Sequence, residues 1–175
     1  MASGRNTRQK ILNAATELAK MEGSAHLSLD AVAARAGISK GGLLYNFPTK
    51  AALLKALVQQ YIDDFRAALE ERLGKGGDSL AAEYFAVVME ELQKATPPPS
   101  GLLAAMAEDP ELLAPIRTFN REMLDRMKSA GEHHSILLIF LALEGLRCHK
   151  VFGTDILNQA ECDLVLSRLR SMLPG

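Results

Sequence analysis

The stretch from Gly37 to Lys50, GISKGGLLYNFPTK, gathers three glycines, two lysines, a tyrosine and a proline. Glycine and lysine together suit the capture of an anion. Glycine lets backbone N–H groups come close to an oxyanion, and lysine brings the charge. The anion has two candidate owners, a nucleotide and a nucleic-acid backbone. Residue order separates them. A nucleotide-binding loop needs G-x-x-x-x-G-K-[ST], with lysine after the second glycine. Here Lys40 precedes Gly41 and Gly42, Lys50 is followed by Ala51, and no strand pattern leads into the stretch. The nucleotide reading is set aside.

No other group of residues competes for chemistry. No nucleophile–base pair and no acid pair is visible, so the chain is not read as an enzyme. His133 and His134 are adjacent at a helix start and point apart, which makes a poor metal pair. Cys148, His149 and Cys162 lack metal-ligand spacing, and two cysteines do not make a disulfide framework. Neither a metal nor a cofactor is expected.

The elements that must position the stretch follow from composition and period. Apolar residues make up 48% of 175 residues, a folding composition dominated by the helix formers Ala and Leu. No apolar leader follows the basic start, and the longest apolar run, SILLIFLAL, stops at Glu144, short of a membrane span. A soluble, cytoplasmic protein is expected. The net charge of -1 hides a split, with +5 over residues 1–55 and -6 over the remainder. A basic head on an acidic body points to nucleic acid as partner, although small charge blocks also arise by chance.

The spacing predicts an amphipathic helix over 5–22, with Ile11, Leu12, Ala15, Leu18 and Ala19 on its buried stripe and Gly23 ending it. Ser28 opens a short helix, LDAVAARA, which Gly37 breaks. Ser39 opens another from Lys40 to about Asn46, and Pro48 stops it. Thr49 starts a helix of about 24 residues carrying Leu53, Leu54, Leu57, Val58, Tyr61, Ile62, Phe65 and Leu69 at helical spacing. Further helices are predicted from Leu80 to before TPPPS, over 101–108, near 111–130 with Pro115 in the first turn, over 133–150 and over about 159–172. No strand pattern, repeat or low-complexity tract is present.

Residues 29–43 meet the demands of a helix–turn–helix. With Leu29 as position one, Val32 and Ala33 are the small apolar residues that let two helices cross closely. Gly37 falls at position nine, where the turn needs positive φ. Ile38 and Leu43 pack the second helix onto the first. The segment SLDAVAARAGISKGGLLYNFPTKAALL resembles the DNA-binding part of the TetR (tetracycline-repressor-like) family of regulators, and RNTRQKILNAATELAKMEG resembles that family's first helix. The likeness is specific over residues 5–58. Beyond them it extends to architecture, with a weaker likeness at EDPELLAPIR. The family usually has an acidic residue soon after the lysine matching Lys50, where this chain has Ala51 and Ala52.

The resemblance implies an all-α fold. A three-helix DNA-binding head over 1–48 would be joined by a long helix to an effector-binding and dimerisation domain over 49–175. The expected DNA-facing set is Ser28, Ser39, Lys40, Gly41, Gly42, Tyr45, Asn46, Thr49 and Lys50. Ser39 caps a helix whose free first-turn N–H groups favour an anion. Lys40 is the candidate to read guanine, and Asn46 to bond a phosphate or an adenine edge. Gly41 and Gly42 let the backbone approach DNA, or merely begin a poor helix. Tyr45 contacts a phosphate by family resemblance. Thr49 and Lys50 form a phosphate clamp at a helix start. Phe47 is read as core, and Arg5 and Arg8 touch the flanking backbone or are simply solvated.

The second domain is expected to take a small-molecule effector among Phe85, Met89, Met106, Phe119, Met123, Ile136 and Phe140, because methionine adapts to varied apolar shapes. The same stripe is also the pattern of plain core. Leu143, Gly145 and Leu146, with Val165, Leu169 and Met172, are expected to form a four-helix bundle with a second copy, which in the resembled family is the dimer interface. The expected function is a repressor released from operator DNA by an apolar or amphipathic effector. The alternatives are an effector-independent regulator or activator with the same head, and a helical enzyme or carrier that binds another anion.

Overall fold

A computed structural model describes residues 2–22, 27–93, 108–129 and 133–173. Gly23, Met106 and the helix expected over 101–108, apart from Glu108, lie outside the described residues. Every regular element among those described is helical: α1 (Ala2–Glu22), α2 (Leu29–Ala36), α3 (Lys40–Asn46), α4 (Lys50–Gly74), α5 (Leu80–Gln93), a short 3-10 turn (Pro110–Leu113), α6 (Ala114–Lys128), α7 (His133–Phe152) and α8 (Gln159–Ser171). None is long and apolar enough to cross a membrane. Contacts divide the chain into two compact units, Met1–Ile62 with Pro99–Arg117, and Asp63–Pro98 with Thr118–Gly175.

In the first unit, α1, α2 and α3 and the start of α4 share a core. The stripe read from the sequence of α1 is buried throughout, and Val32, Ala33, Leu43, Phe47, Leu53 and Leu54 join it. Burying a side chain of leucine size stabilises by roughly 1.5–3 kcal/mol, so these few residues hold the small head together. Val32 and Ala33 are small enough for α2 to lie against α1, and Ala36 closes the same face.

The ends of the elements are set by local chemistry. The Ser28 hydroxyl accepts from the Ala31 N–H at 3.2 Å and opens α2. Gly37 closes it at φ 62°, ψ 41°, in the left-handed region, donating to the Ala34 carbonyl while Ile38 donates to Ala33. The Ser39 hydroxyl accepts from Gly42 N–H at 3.1 Å to open α3, and Thr49 Oγ1 accepts from Ala52 N–H at 3.0 Å to open α4. Between them Phe47, extended at φ -139° because Pro48 follows it, ends α3.

The second unit is built from the rest of α4, most of α6, and α5, α7 and α8. Its centre is aromatic. The Phe65 ring lies 5.2 Å from Tyr84 and 5.7 Å edge-on from Phe119, and Tyr84 lies 5.5 Å from Phe140. Such pairs add about 0.5–1.5 kcal/mol each beyond their buried area. Asn158 and Glu161 form a reciprocal capping box that starts α8, a signal present in the sequence as N-x-x-E and absent from the readings above.

Candidate nucleic-acid interface and the polar centre of the second unit

Most of the residues expected to face DNA lie on or beside α3 and are accessible. Ser39, Lys40, Gly41, Tyr45 and Thr49 are exposed, and Gly42, Asn46 and Lys50 partly so. Tyr45 stands clear of the protein, 88% exposed. No protein atom lies within 4 Å of where a Gly41 Cβ would be. The N–H groups of Lys40 and Gly41 have no helical carbonyl behind them, while that of Gly42 is taken by the Ser39 hydroxyl. Ser28, also exposed, is occupied as the cap of α2. Asn46 turns its amide back onto the Gly42 carbonyl at 2.9 Å, so in the free protein it braces the helix. Phe47 is core as expected, and Arg8 stacks over its ring at 5.1 Å.

Both expected phosphate-binding lysines already hold a carboxylate. Lys40 Nζ lies 2.9 Å from Asp30 Oδ1 and 3.1 Å from Oδ2. Lys50 Nζ lies 2.8 Å from Glu108 Oε2. Arg35 pairs with Glu17 at 3.0 Å. The sequence reading missed these pairs because two of the three partners are 18 and 58 positions away.

In the second unit, Phe85, Phe119, Met123, Ile136 and Phe140 are all buried in the packed core. Met89 is different. It lines a cavity of about 570 Å³ with Leu92 of α5, Leu146 and Lys150 of α7, and Cys162, Asp163 and Leu166 of α8. Leu146, expected at the dimer interface, therefore faces this cavity.

A polar network crosses the core. Glu144 accepts from the Tyr84 hydroxyl at 2.6 Å, from Asn120 Nδ2 at 2.9 Å and from Arg147 Nη1 at 2.6 Å. Arg147 also pairs with Glu91 at 3.2 Å and lies 4.9 Å above the Phe65 ring. Burial pushes the Glu144 carboxyl above its ordinary value, against the downward pull of the Tyr84 and Asn120 bonds. Burial draws the Arg147 guanidinium down to about 10, so it remains cationic at neutral pH. Only the break in the apolar run at Glu144 signalled this network in the sequence.

The residues expected at the dimer interface fall on different sides. Leu143 and Leu169 are buried within their own chain. Gly145, Val165 and Met172 are partly exposed. The exposed large apolar residues of α7 are Leu137, Leu138, Leu141 and Phe152, and the last three recur with Gly145 and Cys148 at helical spacing on one stripe. Leu141 is 64% exposed, and Leu164 on α8 is 72% exposed.

Two family models match the chain. Bacterial regulatory proteins of the tetR family match residues 11–57. The tetracyclin repressor-like C-terminal domain matches residues 78–174. No curated protein matches by sequence. Among solved structures, the multidrug binding protein EbrR complexed with malachite green is 23% identical with a TM-score of 0.69, covering 96% of this chain and 98% of its own. SCO7518 from Streptomyces coelicolor A3(2), assigned as a transcriptional regulator, is 22% identical with a TM-score of 0.67, covering 97% and 99%. A protein from Rhodococcus sp. assigned to the same family is 22% identical with a TM-score of 0.67, covering 96% and 98%.

Proposed function

The chain belongs to the TetR family of DNA-binding transcriptional regulators, and from that premise we propose that it is a repressor released from its operator by an amphipathic small molecule. The observation that carries the reading is the accessible face of α3. It combines a capped helix start, two glycines without side chains, Lys40 and a protruding Tyr45, which together suit a helix laid against a phosphate backbone. Ser39, Lys40, Gly41, Gly42 and Tyr45 make the principal contacts. Thr49 and Lys50 hold an adjoining phosphate, Asn46 swings from the Gly42 carbonyl to reach DNA, and Ser28 borders the strand. The head spans 1–48 and the effector and dimer functions lie in 49–175.

The effector enters the cavity beside Met89 and Leu146, whose wall mixes apolar residues with Lys150 and Asp163. EbrR, a multidrug binding protein, has been captured with malachite green, ethidium and proflavin, which supports a small-molecule effector here. Two copies join through the exposed stripe of α7 and through α8, with Leu138, Leu141, Gly145, Leu164, Val165 and Met172 at the contact. Such a dimer sets two α3 helices on half-sites a multiple of about 34 Å apart. Effector binding shifts the population toward a spacing that no longer fits. A regulator of this kind works on chromosomal DNA in the cytoplasm.

The test is a gel shift on the DNA beside its own gene, with Lys40→Ala and Tyr45→Ala as controls. Retarded DNA that both substitutions release is the expected result. No retardation at low salt, or variants indistinguishable from wild type, ends the reading. A second reading, an effector-independent regulator, is favoured by the close aromatic packing around Tyr84. A thermal-shift screen separates the two, since a ligand of the native state raises the melting temperature by mass action. Leu146→Phe, which narrows the space beside Met89, should reduce any such shift.

A further inference from the structure

We propose that Asp30 and Glu108 set the selectivity of the DNA-binding head by occupying Lys40 and Lys50, the two lysines placed to take phosphate. The inference rests on the assignment of α3 and the start of α4 to DNA.

The geometry is the same twice over. Each lysine is the first residue of its helix, directly after a capping hydroxyl, Ser39 or Thr49. Each stands at the start of its helix with a side chain that reaches solvent, where it can meet a backbone phosphate. And each is held by a carboxylate from another element: Lys40 by both oxygens of Asp30 in the first turn of α2, Lys50 by Glu108 just before the 3-10 turn. The sequence around Lys50 offers no nearby acid, because Ala51 and Ala52 follow it, and the fold delivers one from 58 positions away. The +5 charge of the first 55 residues is therefore not a free field presented to any duplex.

The pairs are exposed, with lysine side chains 61% and 36% accessible, and exposed pairs are weak. They exchange readily. When phosphate takes the lysine, the displaced carboxylate is left near a polyanion and must recruit a cation from solution. Ordinary lysine–phosphate contact releases counterions and steepens the salt dependence by about 0.9 in the log–log slope per contact. Cation uptake by the freed carboxylate opposes that. Binding to arbitrary DNA, which depends almost entirely on the electrostatic contribution, is weakened most. Operator binding, which adds base contacts and shape, is weakened least. Asp30 and Glu108 thus act as competitors of phosphate and raise the ratio of specific to non-specific affinity.

The experiment measures binding of the full chain to its operator and to a random-sequence duplex across a salt series, for wild type, Asp30→Asn and Glu108→Gln. Each variant should bind the random duplex several-fold more tightly at low salt, with a slope steeper by up to about one. Operator affinity should rise less, so the specificity ratio falls. Asp30 also sits in the first turn of α2, so Asp30→Ser, a residue suited to helix starts, checks that the effect is not unfolding. The double variant Asp30→Asn with Lys40→Ala should match Lys40→Ala alone. Unchanged slopes and random-duplex affinities, with Lys40→Ala and Lys50→Ala both weakening binding, overturn the inference alone. Lysine variants that bind as wild type overturn the DNA assignment beneath it.

Discussion

Tyr84→Phe removes a single hydroxyl from the core of the second unit. The hydroxyl donates to Glu144 at 2.6 Å and accepts a longer bond from Arg147 Nη1 at 3.3 Å. The substitution keeps the ring, and with it the contacts at 5.2 Å to Phe65 and 5.5 Å to Phe140. A bond to a buried charged group contributes about 1.5–3 kcal/mol. Glu144 retains Asn120 and Arg147, so the loss belongs in the lower half of that range, about 2 kcal/mol. For a chain of this length that is a fall of roughly 4–8 °C in melting temperature. The penalty should depend on pH. Glu144 titrates above its ordinary value, so its contribution to stability is full below the unfolded value and is lost as pH rises through the folded one. The Tyr84 bond favours the carboxylate, and removing it raises that folded value further. The variant should therefore lose more at neutral pH than near pH 4. Thermal unfolding of both proteins by circular dichroism reads this directly. A penalty equal at both pH values, or none at neutral pH, refutes the role given to the carboxylate.

The other expectations concern the head and the outer face of α7. Gly41→Ala should stabilise the head by up to about 1 kcal/mol, since a Cβ there meets nothing, while weakening operator DNA several-fold by holding the backbone off phosphate; denaturation midpoint and gel shift should move in opposite senses. Gly37→Ala should cost about 1–2 kcal/mol from its positive φ alone, seen as a lower urea midpoint at unchanged slope. Leu141→Glu should leave the helical signal intact and shift the sedimentation coefficient to that of a single copy; an unchanged coefficient would remove α7 from the proposed interface.

What the sequence disclosed depended on range. Caps and turns are local, so Ser28, Gly37, Ser39, Thr49 and Pro48 could each be placed from neighbours within a few positions, and the helices followed. The stripes of α1 and α4 were legible because one face is apolar and the other polar. On α7 that contrast fails. Ile136, Ile139, Phe140 and Leu143 are buried while Leu137, Leu138 and Leu141 are exposed, so period alone does not separate the two faces. The ion pairs of Lys40 and Lys50 and the bonds of Glu144 to Tyr84 and Asn120 join residues far apart in the chain. Their partners became known only once the helices were packed.

The brevity of α3 has a consequence for the timing of recognition. Seven residues make two turns, and much of the helix consists of its own ends. What keeps it folded is Leu43 beneath it, Phe47 behind it and the Ser39 hydroxyl at its start. The amides at Lys40 and Gly41 are thus the ones that solvent deuterium reaches first, while Leu43 and Phe47, bonded to the Ser39 and Leu43 carbonyls, exchange later. The surface proposed to meet DNA thus carries the most readily exchanged amides of α3, and a bound duplex would protect them.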